Sequence, residues 1–486
     1  MKKTAALLCL AAALLAACSA LRSPRIAAQL SYTSIVTPPD EAFRATPPPD
    51  GPLETTPAVQ LQSGRLPNGV ELVLVERHDL PLFSAYLAIS RGARDIGRRT
   101  ELLDFATTAA LREHESSSRA NPELRPSVDC GADECSASVA GLSRSLPAAL
   151  GVLADLALRP RFQADHLGAL LQEWRRYVDM SSGGSEVAVE KNVRALLFPP
   201  NDPYAAIGPL DRRALFNVST GDLALSYSLL FQPQHATLIV AGDVTLPRLQ
   251  ELAQGAFGAW TQTAPVAQSA SPPPYPGAPE RTVLVEQRAA LVHAYLIARG
   301  PIPTDPTFDA LSLFGAVLDT PSGALFAEVR SSMNATYDVH SSLHGGRVAS
   351  WFSIGGSFEL AKAPDAVRAI LAAIRTARDQ GVNAVDLEGA RTRYISALRS
   401  DAGTTTGVTE DIAGLLSVGR RPSDVLERPA RIARLTAADV QTAAKTWLSD
   451  AALRLVIVGP RRSIERRFDD LGIGAVGWRS FRGEMP

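Results

Sequence analysis

GRLPNGVELVLVERHDLPLFSAYLAISRGARD, Gly64–Asp95, is followed after four residues by TELLDFATTAAL, Thr100–Leu111. In the second segment Leu102, Phe105 and Ala109 recur at helical spacing with Leu103, Ala106 and Ala110 beside them. Thr100 and Glu101 supply an N-cap and a first-turn acid, so the spacing predicts a helix. Asp104, Thr107 and Thr108 then share one of its faces, because residues three and four apart are neighbours on a helix. Parts of the first segment return later in the chain. AYLAISRG, ending at Gly92, is echoed by AYLIARG, ending at Gly300, and TLIVAGDV, with Gly242, by LRLVIVGP, with Gly459. The offsets, 208 and 217 residues, are those of a duplication with small insertions. Each copy reads as strand, helices, strands, helix, strand, helix, which predicts an α+β chain of two sandwiches, each a mixed sheet covered by helices.

The Gly64–Asp95 segment and its helix, then PPNDPYAAIGPLDRRAL and LFQPQHATLIVAGDV in that order and spacing, resemble the pitrilysin (insulinase-type) zinc metallopeptidases. The resemblance covers nearly all of the chain after residue 60. In that family a strand pair ending in a glycine-bearing turn feeds a helix with H-x-x-E-H, whose i, i+4 histidines bind zinc while the glutamate activates water. The resemblance sets Asp104 at the first histidine, Thr107 at the glutamate, Thr108 at the second histidine, and Glu186 of SEVAVEKNV at a third, downstream ligand. Such a site needs three protein ligands and an open water position, and a threonine hydroxyl has no accessible pKa for general-base work. The helix therefore keeps the outline of a metal site without its chemistry, and no metal or cofactor is expected in this chain. The resemblance further implies two homologous domains facing each other across a chamber as a clamshell.

In SGALFAEVRSSMNATYDVHSS, Arg330 and Tyr337 stand seven residues apart at a predicted helix end and strand start. They are similar to the family's Arg/Tyr pair, which contacts substrate beside the scissile bond; a guanidinium fork and a phenol can hold a peptide carbonyl and the oxyanion it becomes. Asn334 takes the place of the usual turn glycine and is among the residues that best tolerate positive φ. A surface arginine and a half-buried strand tyrosine are the plainer alternative. His114 and Glu115 are expected as solvated loop residues just past the first helix. His340 and His344 fall on an alternating, strand-like segment, and no G-x-S-x-G, P-loop or Rossmann fingerprint occurs.

Lys2 and Lys3, an apolar run from Ala5 to Ala17 and the sequence Leu15-Ala16-Ala17-Cys18 read as a bacterial lipoprotein signal, with Cys18 as the lipidated residue. An ordinary signal peptide cleaved elsewhere is the alternative. Ser19, rather than an aspartate, after Cys18 predicts the outer membrane, facing the periplasm. Loss of two lysines with the signal moves the net charge from −1 to −3, and the short arginine clusters Arg461-Arg462 and Arg466-Arg467 are expected on solvated helix faces, so nucleic acid is not a partner. Cys130 and Cys135 flank the turn of a predicted hairpin, either as a disulfide or as two thiols. The expected organisation is a signal at 1–17, a Pro-rich tether at 18–58, an N-terminal peptidase-like domain at 59–263, a linker at 264–280, a C-terminal domain at 281–475 and a tail at 476–486.

The resemblance implies that an empty metal helix with a kept Arg/Tyr pair marks the non-catalytic subunit, as in two-chain bacterial members of that family. Its expected partners are a zinc-bearing subunit of the same family, a peptide substrate and, through the lipid, a membrane. The alternatives are a peptide- or protein-binding scaffold lipoprotein without peptidase activity, and a hydrolase using another metal through Asp104 and Glu186.

Overall fold

The computed structural model describes residues 59–97, 100–117, 123–181, 184–199, 202–205, 218–261, 279–474 and 476–479. Cys18, the signal, the tether and nearly all of the linker lie outside them. Strands β1 (Leu61–Arg65), β2 (Glu71–Glu76), β3 (Leu82–Ile89), β4 (Ser127–Cys130), β5 (Cys135–Leu142) and β6 (Ala236–Gly242) form one six-stranded sheet in the order β1-β2-β6-β3-β5-β4. Strands β7 (Thr282–Glu286), β8 (Leu291–Gly300), β9 (Asp338–Gly345), β10 (Ser350–Glu359), β11 (Arg454–Gly459) and β12 (Val476–Arg479) form a second, in the order β12-β7-β11-β8-β10-β9. The echoed sequences occupy matching places: AYLAISRG lies on β3 and AYLIARG on β8, TLIVAGDV on β6 and LRLVIVGP on β11. Both sheets are mixed, with β2 parallel to β6 and β7 parallel to β11, while β3 and β8 run antiparallel to those partners.

The outer strand is where the copies part. In the first sheet it is β1, antiparallel to β2; in the second it is β12, parallel to β7. Val476–Arg479, expected within a tail, thus belong to the sheet. The helix expected to follow β11 is also much shorter than its counterpart Leu246–Phe257 in the first copy. It spans only Arg461–Ile464, because Glu465 is extended and Arg466 turns to φ 59, so Arg466-Arg467 are not on a helix face.

The central strands are largely apolar because they are covered on both sides. On β2, Leu72 and Leu74 face one core while Val73 and Val75 face another; on β6, Leu238 and Val240 alternate with Ile239 and Ala241 in the same way. The first face is covered by helices of the same half: α1 (Thr100–Ser117), α2 (Leu146–Leu158), α3 (Ala164–Ser181), α5 (Thr220–Leu230) and α6 (Leu246–Phe257). The opposite face of each sheet is covered by a helix from the other half. Helix α4 (Ser185–Leu197) lays Ala188, Val189, Val193 and Leu196 against Val283, Val285, Val456 and Val458 of the second sheet. In the second half come α7 (Phe308–Leu318), α8 (Ala363–Gln380), α9 (Ala384–Gly403) and α10 (Thr405–Ser417). Helix α10 returns the favour, with Val408, Ile412 and Ala413 against Val73, Val75 and Ile239 of the first sheet. Inside that contact the hydroxyls of Ser84 on β3 and Thr409 on α10 share a buried hydrogen bond of 2.8 Å. Each large aliphatic side chain so covered contributes about 1.5–3 kcal/mol, so the exchanged helices carry a substantial share of the stability. Helices α11 (Asp424–Ala433), α12 (Ala437–Trp447) and the short α13 (Arg461–Ile464) complete the second half.

Candidate functional site

Helix α1 begins three residues beyond Gly97, whose φ of 62 ends the short turn at Ala93–Ile96. Gly92, just before that turn, lies so close to the β4–β5 hairpin that a Cβ there would meet Ala132 and Glu134 backbone atoms at 2.6 Å, which makes glycine obligatory. The predicted apolar side of α1 is buried: Leu103, Phe105, Ala106 and Ala110 are at most 2% exposed. Phe105 meets Trp174 of α3 edge-on at 5.6 Å, and Arg112 makes a two-pronged pair with Glu173 at 2.6 and 2.7 Å. The helix continues to Ser117, so His114 and Glu115, expected past its end, stand in its last turns.

The face of Asp104, Thr107 and Thr108 does not bring a metal set together. Thr107 is buried, and both threonine hydroxyls donate back to the carbonyl oxygen of Asp104, at 3.0 and 2.8 Å. Their protons are thereby used within the helix itself. Glu186 is exposed on α4, the helix given to the second sheet, where its charge acts on His293 and Tyr295 of β8. The resemblance set Glu186 at a ligand position for α1; the exchange of helices gives it other neighbours. Among the described residues no three His, Cys, Asp or Glu side chains are grouped to hold a metal ion. Zinc, with its need for three ligands, does not fit these four positions. Purified protein dialysed free of loose metal is expected to hold less than about a tenth of an equivalent of zinc. Stoichiometric zinc that disappears in Asp104→Ala or Glu186→Ala would restore the metal-hydrolase reading.

Arg330 and Tyr337 are displayed differently. Arg330 is in the last turn of a π-helical segment, Leu325–Ser332, whose wide turn is closed by the Met333 amide donating to Glu328 O at 2.8 Å. Single π-turns are frequent at functional sites. The Arg330 guanidinium lies over the exposed Phe326 ring, 4.9 Å from its centre. Asn334 then takes φ 47, the left-handed turn that its amide side chain tolerates. Ala335 and Thr336 are buried and fixed, Ala335 by its amide on Val329 O at 3.2 Å and by accepting from Glu359 N at 3.0 Å. Tyr337, next in line and adjoining the edge strand β9, is 86% exposed. A rigid turn thus holds a large aromatic out in water beside a stacked arginine. His340 and His344 are on β9, as their alternation predicts, and His344 stacks on Trp351 at 4.7 Å.

A second polar constellation was not singled out from sequence. Cys130 and Cys135 pair across β4 and β5 and are joined as a disulfide that closes the GADE turn. This tip reaches the second half. The Asp133 carboxylate accepts from the Arg347 amide at 2.8 Å and from the Tyr204 hydroxyl, while the Arg347 guanidinium reaches Asp95 at 3.4 Å. Burial, reinforced by the Asp129 and Asp133 carboxylates, pushes the neighbouring Glu134 up to about 8, which keeps it protonated at neutral pH. The signals present in sequence were Tyr204 within PNDPY and the tight cysteine pair; nothing local pointed to Arg347.

Residues 217–394 match the family model described as the peptidase M16 inactive domain. Over those residues the chain resembles that domain, and its fold is an M16-like peptidase fold. The fold is shared with an M16-like peptidase of Alicyclobacillus acidocaldarius, with a TM-score of 0.73 at 12% identity over 83% of this chain and 99% of that one. An M16 inactive domain from Pseudomonas fluorescens matches with a TM-score of 0.71 at 16% identity, over 82% and 98%. A protease from Helicobacter pylori matches with a TM-score of 0.72 at 15% identity, over 83% and 100%. No curated protein matches the sequence. The matched residues begin beyond α1 and include the Arg330–Tyr337 turn.

Proposed function

We propose that this M16 homologue is the non-catalytic subunit of a periplasmic zinc peptidase, to which it lends one wall of the peptide chamber together with Arg330 and Tyr337. The observation that carries the reading is the contrast between two sites. On α1 the hydroxyls of Thr107 and Thr108 are turned inward onto their own helix, whereas Tyr337 is held 86% exposed by a turn with buried neighbours. A subunit that supplies hydrogen-bond donors to chemistry done elsewhere needs the second and has no use for a working first. The zinc, an H-x-x-E-H helix and the attacking water belong to the partner.

The test is co-purification from membranes followed by peptide-cleavage assays of each subunit alone and of the pair. Cleavage only by the pair supports the reading. Peptide binding without cleavage, and with no H-x-x-E-H protein co-purifying, favours a scaffold lipoprotein instead.

Anchorage is part of the proposal. Lipid on Cys18, at about 0.8 kcal/mol per buried CH₂, would hold the body at the outer membrane through the Pro-rich tether. Cys18→Ser is therefore expected to shift the protein to the soluble periplasmic fraction with an unchanged melting temperature. Retention on membranes would assign the attachment to the body itself or to an integral partner.

A further inference from the structure

Away from α1 and from the Arg330–Tyr337 turn, the second half forms a half-open cavity of about 370 Å³ lined by β9, α7, α9, α10 and α11. That is within the range of roughly 300–1,000 Å³ typical of small-ligand pockets. Its apolar wall includes Phe308, Leu398, Leu415 and Val418. The polar groups facing it are of two kinds. Arg420 and Arg428 are already engaged from behind: Arg420 with the Pro303 carbonyl at 2.6 Å and Asp424 at 3.1 Å, Arg428 with Asp309 at 2.9 Å and the Tyr394 hydroxyl oxygen at 2.7 Å. Asp411 and Glu410, in contrast, accept no hydrogen bond and make no ion pair among the described residues, although both line the cavity.

The charge balance points the same way. Asp309 and Asp424 answer two of the three guanidiniums of Arg420, Arg428 and Arg431. Arg420 and Arg428 equal Glu410 and Asp411 in number on the cavity wall, but they are paired from behind by Asp309 and Asp424, so the carboxylates are the charges left facing an apolar interior. An aliphatic stem with hydrogen-bond donors and a positive charge at one end complements both features; a neutral or anionic ligand complements only one or neither.

We propose that this cavity is a binding site for a small primary amine, its apolar body against Phe308, Leu398 and Leu415 and its ammonium group on Asp411. The proposal is independent of the peptidase reading, since it draws on none of the residues assigned there. Burial, with Asp401 close by, raises the Asp411 carboxyl to about 6, so the group is ionised and receptive at pH 8 and largely protonated at pH 5. The other charged groups acting on it are Glu410 and Arg428.

The full-length protein titrated calorimetrically with hexylammonium chloride, and separately with 1-hexanol as the neutral isostere, tests the assignment. Hexylammonium is expected to bind saturably and about tenfold or more tightly than hexanol at pH 8, the gain from one charge-assisted contact. That advantage shrinks as pH falls through 6. Asp411→Asn should bring the amine down to the alcohol's affinity. A Cβ added at Gly414 on the cavity wall meets nothing within 4 Å, so Gly414→Phe is expected to fold, fill the space and abolish binding of both compounds. Equal binding of amine and alcohol, an advantage indifferent to pH and to Asp411→Asn, binding that survives Gly414→Phe, or no saturable binding of the amine would each overturn the proposal.

Discussion

Arg330→Ala and Tyr337→Phe are expected to lower the turnover of the two-chain peptidase by about tenfold to a thousandfold, the range for loss of a single donor to a developing oxyanion. Assembly should be untouched, because Tyr337 is 86% exposed and Arg330 stacks only on the exposed Phe326 ring, so neither removal opens a core. Thr107→Ala is the control. Its hydroxyl bonds only within α1, and its loss should leave turnover almost unchanged. The assay needs wild-type and mutant complexes of equal stoichiometry, with kcat read at saturating peptide. If all three variants match the wild type, Arg330 and Tyr337 are structural residues and the scaffold reading takes precedence.

The largest expected effect on stability is at Asp309. This buried carboxylate on α7 holds Arg428 at 2.9 Å, Arg431 at 2.8 Å and Arg420 at 3.7 Å. Asp309→Asn keeps the shape and removes the charge, leaving three crowded guanidiniums with Asp424 alone. Breaking a buried pair from one side costs about 3–5 kcal/mol, and the midpoint of urea unfolding at pH 7 should fall accordingly. Burial by itself would raise the Asp309 pKa, but the arginines outweigh it and hold the carboxyl below the usual range. A depressed folded pKa gives stability that is fully present above the unfolded value, near 4, and is lost as pH falls through the folded one. The difference between wild type and Asp309→Asn should therefore be constant from pH 7 to about 5 and narrow in acid. A difference below about 0.5 kcal/mol at pH 7 would show that the cluster is solvated and contributes little.

Much of the fold was legible because it rests on local periodicity. Leu103, Phe105 and Ala106 marked α1, and the paired echoes AYLAISRG and AYLIARG marked equivalent strands. What periodicity reports is that one side of an element is buried; it is silent on what buries it. The spacing of Val189, Val193 and Leu196 suits a helix with one apolar side but says nothing of the second sheet that covers it, and the resemblance that set Glu186 at a ligand position is equally blind to that cover. The Arg330–Tyr337 turn was readable down to Asn334, whose side chain names its own backbone conformation. The contact of Asp133 with Arg347 and the amine-sized cavity join residues far apart in sequence, each of an ordinary surface type, and carry no local signature.

The crossing of α4 and α10 bears on how such a chain evolves. Once a duplicated sandwich has come to rely on its twin for cover, neither copy can be deleted without baring Val283, Val285, Val456 and Val458 in one case or Val73, Val75 and Ile239 in the other. The ancestral single-copy state is then closed to return, because every intermediate would expose a strip of sheet prone to aggregate. Catalytic residues are under no such constraint. A chain of this kind is free to lose its metal chemistry one substitution at a time while both halves remain bound to their joint architecture, and inherited form then outlasts inherited activity.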